Sequence, residues 1–229
     1  AAAGAVVKRN GSRGMLWLEP LVEVETDSGR VGYPNVDPAD VGAVLDSTAE
    51  SIGDPAAHPW LARQQRVSFA RVGVIDPQDL ADYEAHGGWA GLRTALSMTP
   101  EAVVQAVLDS GLRGRGGAGF PAGIKWQTVA GTTSDQKFVC CNFDEGDSGT
   151  FADRMIVEGD PFTLIEGMII AAYSVGASEG YVYARSEYPH AVAALRQAIA
   201  TAYREGFLGA DVCGSGFAFD LHVRVGAGA

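Results

Sequence analysis

The stretch Gly111-Leu112-Arg113-Gly114-Arg115-Gly116-Gly117-Ala118-Gly119-Phe120-Pro121-Ala122-Gly123-Ile124-Lys125-Trp126 gathers six glycines, two arginines, a lysine and two large aromatics. Glycine allows a positive φ and lets a ligand approach the backbone without a Cβ in the way. Successive N–H groups in such a loop form a concavity suited to phosphate, and Lys125 adds a compact positive charge. Phe120 and Trp126 offer flat surfaces to a planar ring. The chemistry this points to is a cradle for a nucleotide or a flavin. Gly114, Gly116 and Gly119 also fit the G-x-G-x-x-G dinucleotide fingerprint, which requires a strand ahead and a helix behind. Here the preceding segment reads as a helix: Thr99 caps it, Pro100 suits its first turn, Val103, Val104, Val107 and Leu108 share a face, and Gly111 ends it. Phe120-Pro121-Ala122-Gly123 is not expected to open a regular helix. A Rossmann geometry is therefore not expected.

A second motif, Asn142-Phe143-Asp144-Glu145-Gly146-Asp147-Ser148-Gly149-Thr150, follows the apolar run Phe138-Val139-Cys140-Cys141. An ionised carboxylate accepts hydrogen bonds on both oxygens, so this turn suits sugar hydroxyls. A hard-cation site and a solvated turn fit the same composition. The glycine loop tilts the reading toward ribityl or ribose recognition.

The elements that must position these motifs are legible in part. The apolar run predicts a strand buried on both faces, with Cys140 and Cys141 as small buried residues. Asp160-Pro161 starts a helix with Leu164, Ile165, Met168, Ile169 and Ala172 inward. Tyr181-Val182-Tyr183 is a strand, Tyr188-Pro189 starts a helix carrying Val192, Leu195, Ile199 and Ala202, and Phe217 to Val225 alternate as a strand. This order implies an α/β domain with a partly parallel sheet. Earlier in the chain, Val22 and Val24 alternate with Glu23 and Glu25, Asp27-Ser28-Gly29 turns, and Asp37-Pro38-Ala39-Asp40 starts a helix. Short helices are expected over Trp60 to Gln65 and Pro77 to Ala85. Trp17, Trp60 and Trp89 read as packing aromatics, His222 as a solvated strand residue, and Asp153 and Arg154 as members of structural ion pairs.

Among the 229 residues, 47% are hydrophobic and the net charge is −11, which disfavours a nucleic-acid surface. The three cysteines, Cys140, Cys141 and Cys213, include no C-x-x-C pair, so no metal site or iron–sulfur cluster is expected from this chain alone. Neither a membrane-spanning run nor a signal-peptide pattern is present, and a cytoplasmic location is expected. The sequence stops at Gly226-Ala227-Gly228-Ala229, a run that reads as a ligand loop, and a continuation is expected.

Three runs, GLRGRGGAGFPAGIKW, VCCNFDEGDSGTFADR and EGDPFTLIEGMIIAAYSVGA, resemble the FMN- and NADH-binding subunit of respiratory complex I. The relatives that share this resemblance include the diaphorase subunits of NAD-reducing hydrogenases and of NAD-dependent molybdenum or tungsten formate dehydrogenases. The resemblance runs from about Asp82 to Ala229. Phe69-Ala70-Arg71-Val72-Gly73-Val74-Ile75-Asp76-Pro77 most resembles the formate dehydrogenase β subunits. Residues 6 to 48 resemble the C-terminal half of a thioredoxin-like [2Fe–2S] domain, with Ser12 and Leu16 standing where cluster ligands would be.

The resemblance implies a complex I flavoprotein-type fold with three parts: a cluster-free thioredoxin-like remnant (1–48), a connector (49–100) and an FMN/NAD-binding domain (101–229). It implies that Gly114, Arg115, Gly116, Gly117, Ala118, Gly119 and Phe120 lie against flavin and nicotinamide nucleotide. Lys125, Asn142, Asp144, Glu145 and Gly146 would lie by the flavin. Asp147 stands where the family usually has a glutamate, and Thr128 where it has an aromatic. No side chain is expected to act as acid, base or nucleophile, because the flavin carries the chemistry. The implied activity is hydride transfer between NAD(H) and FMN, with electrons passing to iron–sulfur clusters, in a formate dehydrogenase or else in complex I or a hydrogenase. The implied partners are an iron–sulfur γ-type subunit and a large catalytic molybdenum subunit, with a [4Fe–4S] cluster beyond Ala229. A non-catalytic interaction scaffold is the reading of another class.

Overall fold

Alternating valines and glutamates give the hairpin they predict: β1 (Val22–Thr26) pairs antiparallel with β2 (Gly29–Tyr33). The computed structural model describes residues 6–147 and 149–228. Expectations resting on the opening alanines, on Ser148 and on Ala229 lie outside the described residues. The Asp37 carboxylate accepts from the Ala39 amide at 2.9 Å and opens the turn leading into α1 (Val41–Leu45). The helix expected from Trp60 is the single turn α2 (Pro59–Ala62).

These elements belong to one compact unit, Ser12–Ala70; Ala1–Gly11 and Arg71–Ala229 form the other. The connector expected over 49–100 is thus divided. Residues 49–70 join the hairpin, whereas Ile75, Tyr83, Trp89 and Leu92 lie in the same core cluster as Phe162, Ile165 and Leu195. Apolar burial, rather than the Pro and Gly punctuation of the sequence, decides where the chain divides. The packing role expected of three tryptophans holds for Trp89, which is fully buried. Trp17 and Trp60 are 53% and 52% exposed, and they meet edge to face at 5.4 Å beside a cavity of about 450 Å³.

In the larger unit α3 (Leu80–Ala85) and α4 (Ala90–Leu96) precede α5 (Pro100–Asp109) and α6 (Ala122–Gly131). Then follow β3 (Phe138–Phe143), α7 (Ala152–Gly159), α8 (Pro161–Val175), β4 (Glu179–Arg185), α9 (Pro189–Arg204) and β5 (Asp220–Gly226). The three strands form one parallel sheet in the order β3-β4-β5, with Asn142 beside Tyr183 and Tyr183 beside Arg224. Thr99 caps α5 as expected, accepting from the Ala102 amide. Ile165, Met168, Ile169 and Ala172 of α8 and Val192, Leu195, Ile199 and Ala202 of α9 fill the core. Among the described residues no helix is long and apolar enough to cross a membrane.

Helix α4 has no start signal in the sequence. Its N-cap, Trp89, takes a left-handed φ of +62° and offers no side-chain cap. The cap comes from α8, where the Glu166 carboxylate accepts from the amides of Trp89 and Leu92, each at 2.9 Å, and from the Tyr83 hydroxyl. Burial, and then this carboxylate, push the Tyr83 phenol upward.

Strand β3 corrects two expectations. It lies at the sheet edge and is covered on one face only: Phe138, Cys140 and Asn142 are exposed, whereas Val139, Cys141 and Phe143 face the core. Cys140 is therefore not a buried residue. Burial pushes the Cys141 thiol up to about 11 from 9.0. The folded state thus holds this proton more tightly than the unfolded chain does. Its contribution to stability is full below about pH 9 and fades as the pH rises toward 11. Because the thiolate is the nucleophile, alkylation of Cys141 at pH 8 should slow roughly a hundredfold on folding, from thiolate fraction alone. Peptide mapping after iodoacetamide, in buffer against urea, measures this; equal labelling of Cys141 in both would refute it.

Candidate functional site

The glycine loop is closed at its base. The Gly114 amide donates to Phe120 O and the Ala122 amide to Leu112 O, each at 2.8 Å, and Arg113 Nη1 donates to Gly119 O at 2.8 Å. Between these ties none of the amides of Arg115, Gly116, Gly117, Ala118 and Gly119 donates to a group among the described residues. Gly117 and Gly119 take φ of +96° and +59°, which a side chain would resist. Gly116 does not, and a Cβ there would meet nothing within 4 Å. The protein's own packing gives no reason for glycine at 116; an occupant of the loop would.

The loop leads directly into a helix, against expectation. Pro121 occupies the N-cap of α6, where a missing N–H costs nothing, and Gly123 is buried against α5. A Cβ at Gly123 would stand 2.6 Å from Leu108 N, so this glycine serves the helix contact. The element ahead of the loop is the helix α5, and the Rossmann arrangement is absent as expected. The N-terminus of α6 adds the positive end of its dipole beside the loop. Lys125, in the first turn, sits over the half-exposed Phe120 ring at 5.7 Å. Trp126 instead is partly buried and packs against the core. Thr128 turns its hydroxyl back to Ile124 O at 2.8 Å.

At the end of β3, Asn142 Oδ1 accepts from the Asp144 amide at 2.8 Å and tightens the start of the second motif. Glu145 is buried, and its carboxylate accepts from the amides of Asp153 (3.0 Å) and Arg154 (3.4 Å) and from the Tyr188 hydroxyl (3.2 Å). It thereby caps α7, whose own N-cap, Phe151, is left-handed at φ +51° and supplies no side-chain bond. The side chain expected by the flavin is thus committed to the helix. Gly146 and Asp147 are exposed, and a Cβ at Gly146 would also meet nothing within 4 Å. Arg154 makes its expected ion pair, to Glu158 at 3.7 Å. Asp153 makes none among the described residues; burial, and then Glu145, push its carboxyl upward.

Lys137, just ahead of β3, ties α6 to α8. Its ammonium donates to Ala130 O in α6 and to Val175 O in α8, each at 3.0 Å, so one cation holds two helix C-termini. The two helices also pack on each other.

Residues 107–229 match the family described as the Nuo51 FMN-binding domain. The chain belongs to that family. It is 50% identical over 167 residues to the NADP-reducing hydrogenase subunit HndC of Solidesulfovibrio fructosivorans, covering 73% of this chain and 34% of that protein. It is 41% identical over 147 residues to the mitochondrial NADH dehydrogenase (ubiquinone) flavoprotein 1 of Dictyostelium discoideum, covering 63% and 31%. Among solved structures it resembles a chain of an NAD+-reducing [NiFe]-hydrogenase in the air-oxidised state. There the TM-score is 0.53 at 30% identity, over 86% of this chain and 32% of that one. The chain thus spans about a third of the length of these relatives.

The residues present fit the flavin mononucleotide for which the Nuo51 domain is named. Phosphate needs N–H donors and cations, which the loop amides, Arg115 and Lys125 supply. Ribityl hydroxyls need acceptors, which Asn142 and Asp144 supply at the end of β3. Gly116 and Gly146 leave open space that side chains would fill. Local sequence signals do not reveal Lys137, Arg185 or Tyr188. Each acts on groups brought in by the fold, and for Arg185 and Tyr188 the only hint is the proximity of Tyr188-Pro189 to a strand end.

Proposed function

We propose that this chain is the flavin-binding part of a nicotinamide-linked oxidoreductase that exchanges hydride between NAD(H) and FMN. The observation that supports it best is the glycine loop that opens α6, whose amides from Arg115 to Gly119 donate to no group among the described residues. When bound, FMN would take the hydride and release electrons one at a time to iron–sulfur clusters. The loop amides and Lys125 would hold its phosphate, and Asn142 and Asp144 its ribityl chain. Glu145 and Gly146 would shape the turn beside it. Phe120 would stack on the nicotinamide nucleotide, with Asp147 beside it. Loop amides without a partner among the described residues, and glycine-lined spaces, favour this reading over a purely structural scaffold.

Within this class we read the chain as the β subunit of a cytoplasmic NAD-dependent formate dehydrogenase. The support is the resemblance of Phe69 to Pro77 to such subunits. Under this reading a [4Fe–4S] cluster follows in a continuation of the chain, and an iron–sulfur γ-type subunit and a large molybdenum subunit are partners. The exposed Trp17 and Trp60 give the first unit, read as a thioredoxin-like remnant without a cluster, a surface for such a partner. A complex I or hydrogenase diaphorase subunit is the second reading, favoured by the identities to the NADH dehydrogenase flavoprotein and to HndC. Molybdenum or nickel in the purified assembly distinguishes the two, and the absence of both metals would refute the formate dehydrogenase reading.

Asp144→Ala and Phe120→Ala test the ligand assignment. A lost hydrogen bond to a charged group costs about 1.5–3 kcal/mol, so Asp144→Ala should weaken FMN roughly tenfold to a hundredfold. Lost stacking of about 0.5–1.5 kcal/mol should raise the KM for NADH several-fold in Phe120→Ala while flavin stays bound. Flavin content and NADH–ferricyanide kinetics read both. Normal flavin affinity in the first variant, or an unchanged KM in the second, would overturn the assignment.

A further inference from the structure

Arg185 ends β4 one step beyond the Phe143–Ala184 pair, beside the residue where β3 releases Asp144. Its guanidinium is held from several sides. Nη1 donates to Glu145 O, and Nε stands 3.9 Å from Asp144 Oδ1. Glu187 accepts from Nε and Nη2 at 3.4 and 3.3 Å, and the group lies over the Tyr188 ring at 5.4 Å. The exit of β5 reaches the same cluster: a Cβ at Gly228 would stand 3.3 Å from Arg185 Nη2 and 3.5 Å from Asp144 Oδ1. One planar cation therefore ties the backbone of the carboxylate turn to the neighbouring strand and faces the Asp144 carboxylate. A guanidinium suits this task because its donors are fixed in one plane, whereas a lysine ammonium is a point charge.

We propose that Arg185 is a positioning residue for flavin: it fixes the turn and the carboxylate of Asp144 in the orientation that receives the ribityl hydroxyls. This rests on the reading of the site as an FMN site. Arg185 itself need not touch the ligand. Its effect passes through Asp144 and should vanish when Asp144 can no longer respond.

The test is a double-mutant cycle on FMN affinity, read by flavin fluorescence quenching on titrating FMN into flavin-stripped protein purified as the cell makes it. The variants are Arg185→Met, Asp144→Asn and the pair. Arg185→Met should raise the Kd for FMN roughly tenfold in the parent and less than about twofold in the Asp144→Asn background. Arg185→Lys should rescue only in part. A purely structural role predicts the same fold-change in both backgrounds, and that result, or an unchanged Kd in Arg185→Met, overturns the proposal. If Arg185→Met does not fold, Glu187→Gln replaces it, keeping the guanidinium but loosening its orientation; a Kd change of equal size with and without Asp144 again overturns it. Failure of the parent protein to bind FMN would remove the functional reading and the proposal together. Binding with an additive cycle removes the proposal alone.

Discussion

Glu166→Ala is expected to lower the unfolding midpoint of the larger unit by roughly 10 °C, from a loss of about 3–5 kcal/mol. The carboxylate accepts from Tyr83 Oη and from the amides of Trp89 and Leu92, and all three donors belong to fully buried residues. Truncation leaves three donors without an acceptor and withdraws the cap of α4 in one step. It also frees Trp89, whose ring stacks on Phe207 at 4.0 Å and whose left-handed backbone depends on this support. Glu166→Gln keeps one acceptor oxygen but turns an amide N–H₂ toward a donor, so about half the loss should return. Tyr83→Phe should cost less in the Glu166→Ala background than in the parent, because its hydroxyl then has no carboxylate to lose. Thermal melts followed by near-ultraviolet circular dichroism measure all of these. A midpoint shift below about 2 °C for Glu166→Ala would refute the account.

Gly116→Leu should leave the fold intact and reduce FMN affinity by roughly a hundredfold or more. A Cβ at 116 would meet nothing within 4 Å beyond its chain neighbours, and the backbone there is not left-handed. Loss of glycine flexibility in the unfolded chain even favours the variant slightly. The substituent would enter space that an occupant of the loop would share, so its cost is expected to fall on the ligand. Gly123→Ala makes the opposite experiment. Its Cβ would stand 2.6 Å from Leu108 N and 2.7 Å from Leu108 Cα, and overpacking against backbone costs about 1–3 kcal/mol without filling the loop. Melting curves and FMN titrations on both proteins separate the effects. Unaltered FMN affinity in Gly116→Leu would show that the loop does not receive the flavin phosphate.

Where a local rule had its partner nearby, the sequence was readable. Thr99 and Pro100 announced α5, Pro161 and the inward set through Ala172 announced α8, and the β1–β2 hairpin followed from alternating valines. The parallel sheet followed from the order of elements. The errors have physical causes. Pro121 discourages a helix only when it lies inside one, and here it precedes α6 as the N-cap. Cys140 belongs to an apolar run, but its strand lies at the sheet edge, and alternation turns it outward. Helix α4 was invisible because its cap lies 77 residues away in Glu166. Arg185 was missed for the same reason, since its partner Glu145 lies 40 residues earlier. Short-range patterns describe the elements, whereas the groups that hold the carboxylate turn in place come from other elements.

The imported cap of α4 also carries a consequence for biosynthesis. Residues 90–96 leave the ribosome before Glu166 exists, and at about 5–20 residues per second the intervening 77 residues take roughly 4–15 s. Throughout that interval the nascent segment has neither the carboxylate that starts its helix nor the α8 surface that buries Leu92 and Ala95. Helix α7 differs, because Glu145 precedes it and is already present when Asp153 emerges. Co-translational assembly of the unit therefore has a fixed order. The early helix waits, unprotected and open to chaperones, for a residue synthesised after the glycine loop and the first strand of the sheet.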